Sequence, residues 1–146
     1  MVRPCCLILE DQALIGLPLE ASLEEAGFDV AGPFDHSSDA LKWLIARTPD
    51  LALVDVLVRD GTCISVAREL RRKKVPYAIY SGLKPPQPVA PEFEDVPWLQ
   101  KPVSREQLSA TLLRLSRTHS LVGIVGSSEA SESTVGNSLL EPLASR

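Results

Sequence analysis

Short apolar runs alternate with stretches of helical periodicity, and this alternation limits the folds open to the chain. The apolar runs are predicted strands, and they read CCLIL at 5–9, FDVAG at 28–32, LALVD at 51–55, VPYAIYSG at 75–82 and PWLQ at 97–100. Helices are predicted at about 12–26, 38–47, 63–73 and 105–118. Strands that alternate with helices form parallel βαβ units. We therefore predict an α/β fold with a doubly wound parallel sheet of five strands.

Two segments depart from this alternation. Residues 83–97, LKPPQPVAPEFEDVP, are called the Pro-rich segment below, and they carry five prolines where a fourth helix is due. Proline removes a backbone donor and disrupts helices, so we predict a loop in place of that helix. From residue 119 the chain becomes rich in serine and glycine. We predict one domain at 1–118 and a mostly disordered tail at 119–146, with the alternative that its LVGIV run docks on the domain.

Composition excludes several classes of partner. The formal net charge is −4, and no basic face capable of binding a row of phosphates is apparent, so a nucleic-acid partner is not expected. No apolar run approaches the roughly 18 residues of a membrane span. Cys5 and Cys6 are adjacent in a predicted strand and point to opposite faces, which leaves Cys63 as the third thiol. We expect reduced thiols in a soluble, cytoplasmic protein that binds no membrane.

Polar side chains stand where the predicted strands end. Glu10 and Asp11 follow the first strand, and Asp55 closes the third. Ser81 lies at the end of the fourth strand and Lys101 follows the fifth. Asp55 needs an explanation, because a charge beside a buried apolar run is costly unless it has a partner. Ligands of open α/β sheets bind at the carboxyl ends of the strands, so we expect these side chains to converge at one edge.

The chemistry of this set suggests phosphoryl transfer. Clustered carboxylates repel one another, and Mg²⁺ relieves that repulsion because it takes oxygen ligands together with substrate phosphate. Asp55 would then be an oxygen nucleophile that forms an acyl phosphate. Lys101 would place a positive charge beside the transferred group, and the Ser81 hydroxyl would donate a hydrogen bond to it.

These residues resemble the receiver domains of bacterial two-component response regulators, the CheY-like domains. The likeness covers residues 5 to about 117 and rests on Glu10-Asp11, Asp55, Ser81-Gly82 and Lys101-Pro102. It implies a flavodoxin-like strand order, 2-1-3-4-5, and transfer of a phosphoryl group to Asp55 from a histidine kinase or phosphotransfer protein. It also implies Mg²⁺ held by Asp11, Asp55 and the main-chain carbonyl of Leu57. Glu10 would act through water.

Residues 76–83, PYAIYSGL, are similar to the Pro-Phe-x-Phe-Ala-Thr-Gly-Tyr pattern of a subgroup of stand-alone receivers, with leucine in place of the final tyrosine. The missing fourth helix also looks like this subgroup. The resemblance implies a single-domain regulator that catalyses its own phosphorylation and dephosphorylation. It would signal through protein contacts or drain phosphate from a kinase. Receivers of this family often form homodimers, and the dimer mode stays open here.

Several positions depart from the family pattern. Arg59 replaces a proline, so its side chain could lean towards the acids or the phosphate. Leu57 and Leu83 replace polar side chains near the attacking water, which predicts slow hydrolysis. The switch positions are Ser81 and Trp98, and Trp98 replaces a smaller ring. These departures motivate an alternative, a pseudo-receiver that is not phosphorylated and serves as an interaction module. An aspartyl-phosphate phosphatase is disfavoured, because Leu57 stands where such enzymes need a second carboxylate.

Overall fold

The computed structural model describes the backbone of residues 2–127 and the side chains of residues 2–117. Its strands are β1 (Cys5–Leu9), β2 (Asp29–Phe34), β3 (Leu51–Val54), β4 (Leu57–Val58), β5 (Gly61–Thr62), β6 (Tyr77–Ser81) and β7 (Trp98–Gln100). Five of them form one parallel sheet in the order β2-β1-β3-β6-β7. Strands β4 and β5 pair with each other as an antiparallel hairpin outside this sheet. Because β6 and β7 are the fourth and fifth strands of the sheet, the predicted order 2-1-3-4-5 and the flavodoxin-like fold are confirmed.

The helices are α1 (Ala13–Glu25), α2 (Ser37–Ala46), α3 (Ile64–Arg72) and α4 (Arg105–Ser127). The Pro-rich segment contains a single 3-10 turn at Pro91–Phe93 and no α-helix, as predicted. Helix α4 runs past the predicted end at Thr118 and includes the apolar residues 121–125, although serine and glycine favour helices weakly. The rest of the predicted tail, 128–146, lies outside the described residues. Of the helices in residues 2–127, none is both long and apolar enough to cross a membrane.

The core lies on both faces of the sheet. Successive side chains of a strand point to opposite faces, so Leu7 and Leu9 of β1 pack on one side while Cys6 and Ile8 pack on the other. Helices α2 and α3 cover the first face, and α1 and α4 cover the second. Each fully buried leucine contributes about 2 kcal/mol to folding. Burial on two faces explains why β1 and β3 read as continuous apolar runs.

The strand register brings the strand ends to one edge of the sheet. Leu9 pairs with Val54, and Val54 pairs with Ile79, so the residues after β1 and β3 lie side by side. The ladder continues beyond the strands, because the Asp55 amide donates to the Leu9 carbonyl at 2.9 Å. This edge is called the carboxyl edge below.

Helix α4 begins with a capping box. The amide of Gln107 donates to the Ser104 hydroxyl at 3.1 Å, and the Gln107 side chain accepts from the Ser104 amide at 3.1 Å. This cap holds the short connection from Lys101 to α4, and the Lys101-Pro102 peptide bond within it is cis. Lys101 lies at the carboxyl edge, directly after β7.

Candidate functional site

Three carboxylates and one ammonium group meet at the carboxyl edge. Oxygens of Glu10, Asp11 and Asp55 lie within 4.8 Å of one another. The Lys101 ammonium nitrogen lies 2.9 Å from Oδ2 of Asp55, and it also donates a hydrogen bond to Oε1 of Glu10. The structure therefore brings together four of the side chains that the sequence assigned to one site, and we call these four the acidic cluster.

Burial controls the electrostatics of the acidic cluster. Glu10 and Asp55 are buried. Burial raises the pKa of Glu10, against the lowering effect of hydrogen bonds from Lys101 and from the amide of Gln12. Burial by itself lowers the pKa of Lys101, but its hydrogen bonds with Glu10 and Asp55 outweigh that effect and raise it. Lys101 is therefore held as a cation between the two carboxylates.

The charge and the donor atoms of the acidic cluster suit a hard divalent cation. Three carboxylates face one ammonium, so the ionised side chains leave two negative charges without a partner inside the cluster. Carboxylate oxygens grouped in this way are the ligands that Mg²⁺ and Ca²⁺ take in proteins. The residues present therefore fit a bound divalent cation.

Ser81 lies at the end of β6 and is buried. Its hydroxyl oxygen accepts a hydrogen bond from the amide of Leu83 at 3.1 Å, and its carbonyl accepts from the amide of Lys101 at 2.8 Å. The hydroxyl hydrogen is free to rotate towards another acceptor. Because β6 lies next to β3 in the sheet, Ser81 stands on the strand adjacent to the one that ends before Asp55.

Leu57 and Arg59 stand on the β4–β5 hairpin that follows Asp55. The Leu57 side chain is about half exposed, and its carbonyl stays only a predicted ligand. The expectation that Arg59 leans towards the acids is wrong. Its guanidinium lies 3.4 Å from the carboxylate of Asp35, and its amide donates to the Asp35 carbonyl at 3.0 Å. The turn of the hairpin places Arg59 beside the connection between β2 and α2, which carries Asp35.

Trp98 is half-buried at the start of β7. Its indole N–H donates to the Leu83 carbonyl at 2.8 Å, and its ring meets Phe93 edge-on with the centroids 5.6 Å apart. The same leucine donates its amide to Ser81, so the peptide groups of Leu83 connect the two predicted switch residues. The switch role itself stays a prediction.

Sequence reasoning missed one residue beside the acidic cluster. The Lys101 ammonium lies 5.3 Å from the ring centroid of Tyr80, which is a cation–π contact. Burial raises the pKa of the Tyr80 phenol. The available signal was an aromatic residue directly before Ser81 at a strand end, but only the folded position of Lys101 shows which cation it meets.

Comparisons with known proteins give relatives among the response regulators. No protein-family model matches the chain. PdtaR, a transcriptional regulatory protein of Mycobacterium tuberculosis H37Rv, is 35% identical over 71 residues, which are 47% of this chain and 34% of PdtaR. The chain thus spans about a third of the length of this curated relative.

The chain covers nearly the whole length of two solved structures that it resembles. The signal receiver domain of a modulated diguanylate cyclase from Desulfovibrio desulfuricans G20 is 25% identical with a TM-score of 0.70, over 83% of this chain and 99% of that one. SdrG from Sphingomonas melonis Fr1 is 30% identical with a TM-score of 0.67, over 79% of this chain and 98% of that one. With the sheet order and the acidic cluster, these likenesses show that the chain belongs to the receiver domains of response regulators.

Proposed function

We propose that this receiver accepts a phosphoryl group on Asp55 in a Mg²⁺-dependent reaction, with a histidine kinase or a phosphotransfer protein as the donor. The proposal rests mainly on one observation. The buried Asp55 contacts Lys101 inside a group of three carboxylates. A carboxylate that served only to cap a loop would need neither the other two acids nor a buried ammonium. The likeness to receivers of response regulators supports the same conclusion.

Each residue has a proposed role in holding the cation. Asp11 and Asp55 bind Mg²⁺ directly, and the main-chain carbonyl of Leu57 adds a third oxygen. Glu10 acts through water, since its own oxygen already accepts from Lys101. When bound, Mg²⁺ supplies positive charge that offsets the carboxylates and the incoming phosphate.

The chemical step is a displacement at phosphorus. An oxygen of Asp55 forms a bond to phosphorus while the bond from phosphorus to the donor's imidazole nitrogen breaks, and that nitrogen keeps the electron pair. Lys101 provides a positive charge for the phosphoryl oxygens, and the Ser81 hydroxyl donates a hydrogen bond to them. The half-exposed Leu57 and Leu83 offer no polar side-chain atom to orient an attacking water, which favours slow hydrolysis.

The cellular setting and the output are part of the same proposal. All three cysteines are free thiols, which supports a cytoplasmic location. The phosphorylated receiver would act on a protein partner or draw phosphate away from its kinase. Single-domain action, a switch by Ser81 and Trp98, and homodimer formation stay predictions.

Phosphorylation by a small donor tests the proposal. The protein is incubated with acetyl phosphate in the presence of Mg²⁺, and its intact mass is measured. We expect the mass of one phosphoryl group to be added to the wild type and not to Asp55→Asn. The matched control is Asp95→Asn, because Asp95 is exposed and asparagine tolerates its positive φ of 61°. This control should gain the phosphoryl group as the wild type does.

Two results would contradict the proposal. The first is a wild-type protein that gains no phosphoryl group at any Mg²⁺ concentration, which would favour the pseudo-receiver alternative. The second is a phosphorylation signal that survives Asp55→Asn, because the acceptor would then be another side chain. Removal of Mg²⁺ by a chelator should abolish the mass gain in the wild type.

A further inference from the structure

A contact outside the acidic cluster holds the segment that follows Asp55. The β4–β5 hairpin carries Arg59 and Asp60 at its turn. Arg59 contacts Asp35 in the connection that precedes α2, and Asp60 contacts the first residues of α2. The Asp60 carboxylate accepts hydrogen bonds from the amides of Ser37 at 2.7 Å and Ser38 at 3.0 Å. These hydrogen bonds lower the pKa of Asp60, so it is ionised at neutral pH.

Helix α2 lacks a cap of its own. Its N-cap residue, His36, makes no side-chain capping hydrogen bond. The first amides of a helix need acceptors, and a carboxylate there also interacts favourably with the helix dipole. Asp60 supplies that acceptor from a different part of the chain. The capping group of α2 is therefore carried by the hairpin that follows Asp55.

Ser37 holds the same hairpin at a second point. Its hydroxyl donates to the carbonyl of Thr62 in β5 at 3.1 Å. Thr62 pairs with Leu57 across the hairpin, so the strand that carries Leu57 is attached to α2 through its partner strand. Asp60 and Thr62 together fix the orientation of the hairpin relative to α2. Gly61, between them, has a φ of +123°, which other residues adopt only with strain.

We propose that Asp60 is a positioning residue for the cation site: its cap on α2 sets the direction of the Leu57 carbonyl. This inference rests on the proposed function, in which that carbonyl is a ligand. A main-chain ligand has no rotamer of its own, so its direction depends on how its strand is held. Partners that orient metal ligands typically change metal affinity by about 10- to 100-fold when they are removed.

A purely structural role for Asp60 predicts a different result. Removing any carboxylate near the start of α2 would then lower the stability of the helix and leave cation binding unchanged. Asp39 provides the matched control, because it is the acid in the first turn of α2 and is about half exposed. Asp39→Asn removes a charge from the same helix end without removing a contact to the hairpin.

The experiment measures Mg²⁺ binding by isothermal titration calorimetry in the full-length wild type, Asp60→Ala, Asp60→Asn and Asp39→Asn. We expect Asp60→Ala to weaken Mg²⁺ binding by about 10-fold. Asp60→Asn should weaken it less, since its amide oxygen keeps one acceptor. Asp39→Asn should bind Mg²⁺ as the wild type does. At saturating Mg²⁺, acetyl phosphate should bring the Asp60 variants to the wild-type extent of phosphorylation.

Hydrogen exchange gives a readout independent of the metal. In the Asp60 variants, the amides of Ser37 and Ser38 should exchange faster than in the wild type. If Asp60→Ala is unfolded at the assay temperature, the Mg²⁺ affinity of Asp60→Asn is compared with that of the wild type instead. Equal Mg²⁺ affinity of a folded Asp60 variant and the wild type would overturn the inference alone. A loss of Mg²⁺ affinity in Asp39→Asn as large as the loss in Asp60→Ala would also overturn the inference. A wild type that binds no Mg²⁺ would overturn the proposed function and this inference together.

Discussion

Replacing Lys101 by methionine tests how much the ammonium group stabilises the acidic cluster. The side chains concerned are nearly enclosed, with exposed fractions of 13% for Lys101, 2% for Glu10 and 11% for Asp55. Methionine keeps the length and the apolar stem of lysine but removes the charge. The variant therefore leaves two buried carboxylates facing each other without their shared cation.

The size of the stability loss in Lys101→Met can be estimated from the distance between Lys101 and Asp55. At an effective dielectric constant of about 20, the 2.9 Å contact between Lys101 and Asp55 has a Coulomb energy of about 6 kcal/mol. Proton uptake limits the loss, because Glu10, whose pKa burial already raises, takes a proton when the ammonium is removed. Breaking a buried pair typically costs about 3 to 5 kcal/mol. We expect the free energy of unfolding to fall by about 3 kcal/mol at pH 8, the lower end of that range.

The loss of unfolding free energy in Lys101→Met should depend on pH. A carboxyl group with a raised pKa in the folded state binds a proton that the unfolded chain has already released. Its stabilising effect is therefore present below the unfolded value of about 4.3 and is lost as the pH rises through the folded pKa. Because removal of the ammonium raises the folded pKa of Glu10 further, the deficit of Lys101→Met should grow from pH 5 to pH 8. Mg²⁺ should reduce the deficit, since removal of the ammonium leaves the carboxylates with more negative charge and the folded variant should bind the cation more tightly than the wild type does.

Urea unfolding of the wild type and Lys101→Met measures this deficit at both pH values, with and without Mg²⁺. Lys84→Met is the control, because Lys84 is exposed in the Pro-rich segment and has the same change of side chain. A loss below about 1 kcal/mol, the range of exposed ion pairs, would refute the reasoning. A deficit of equal size at pH 5 and pH 8 would show that Glu10 does not take up the proton.

Three further changes test other parts of the fold. Gly32→Ala should lower the free energy of unfolding by at least about 2 kcal/mol, because Gly32 has a φ of +100° and an added Cβ would lie 2.6 Å from the Phe34 nitrogen; a neutral result in thermal unfolding would contradict this. Tyr77→Phe should cost about 1 kcal/mol in urea unfolding, because the hydroxyl donates to a carbonyl of the Pro-rich segment. Cys63 should resist a disulfide reagent at pH 8 until the protein unfolds, because burial raises its pKa to about 12; rapid labelling of the folded protein would contradict the burial.

The order of elements and the row of polar strand ends could be derived from the sequence, because both depend on local pattern. A buried strand needs apolar side chains on both faces, so β1 and β3 read as apolar runs wherever the rest of the chain lies. Proline excludes a helix from the Pro-rich segment by its own covalent geometry. Parallel strands share one carboxyl edge, so Glu10, Asp55 and Lys101 had to emerge on the same side of the sheet.

Tertiary structure alone decided which groups pair. Arg59 could have faced the acidic cluster, but the β4–β5 hairpin places it against Asp35. The cap of α2 comes from Asp60, more than twenty residues further along the chain, and no capping pattern in the local sequence predicts it. The contact of Tyr80 with Lys101 likewise joins β6 to the residue that follows β7. These contacts depend on how separate segments approach each other in space, whereas a local pattern records only the preferences of each segment for itself.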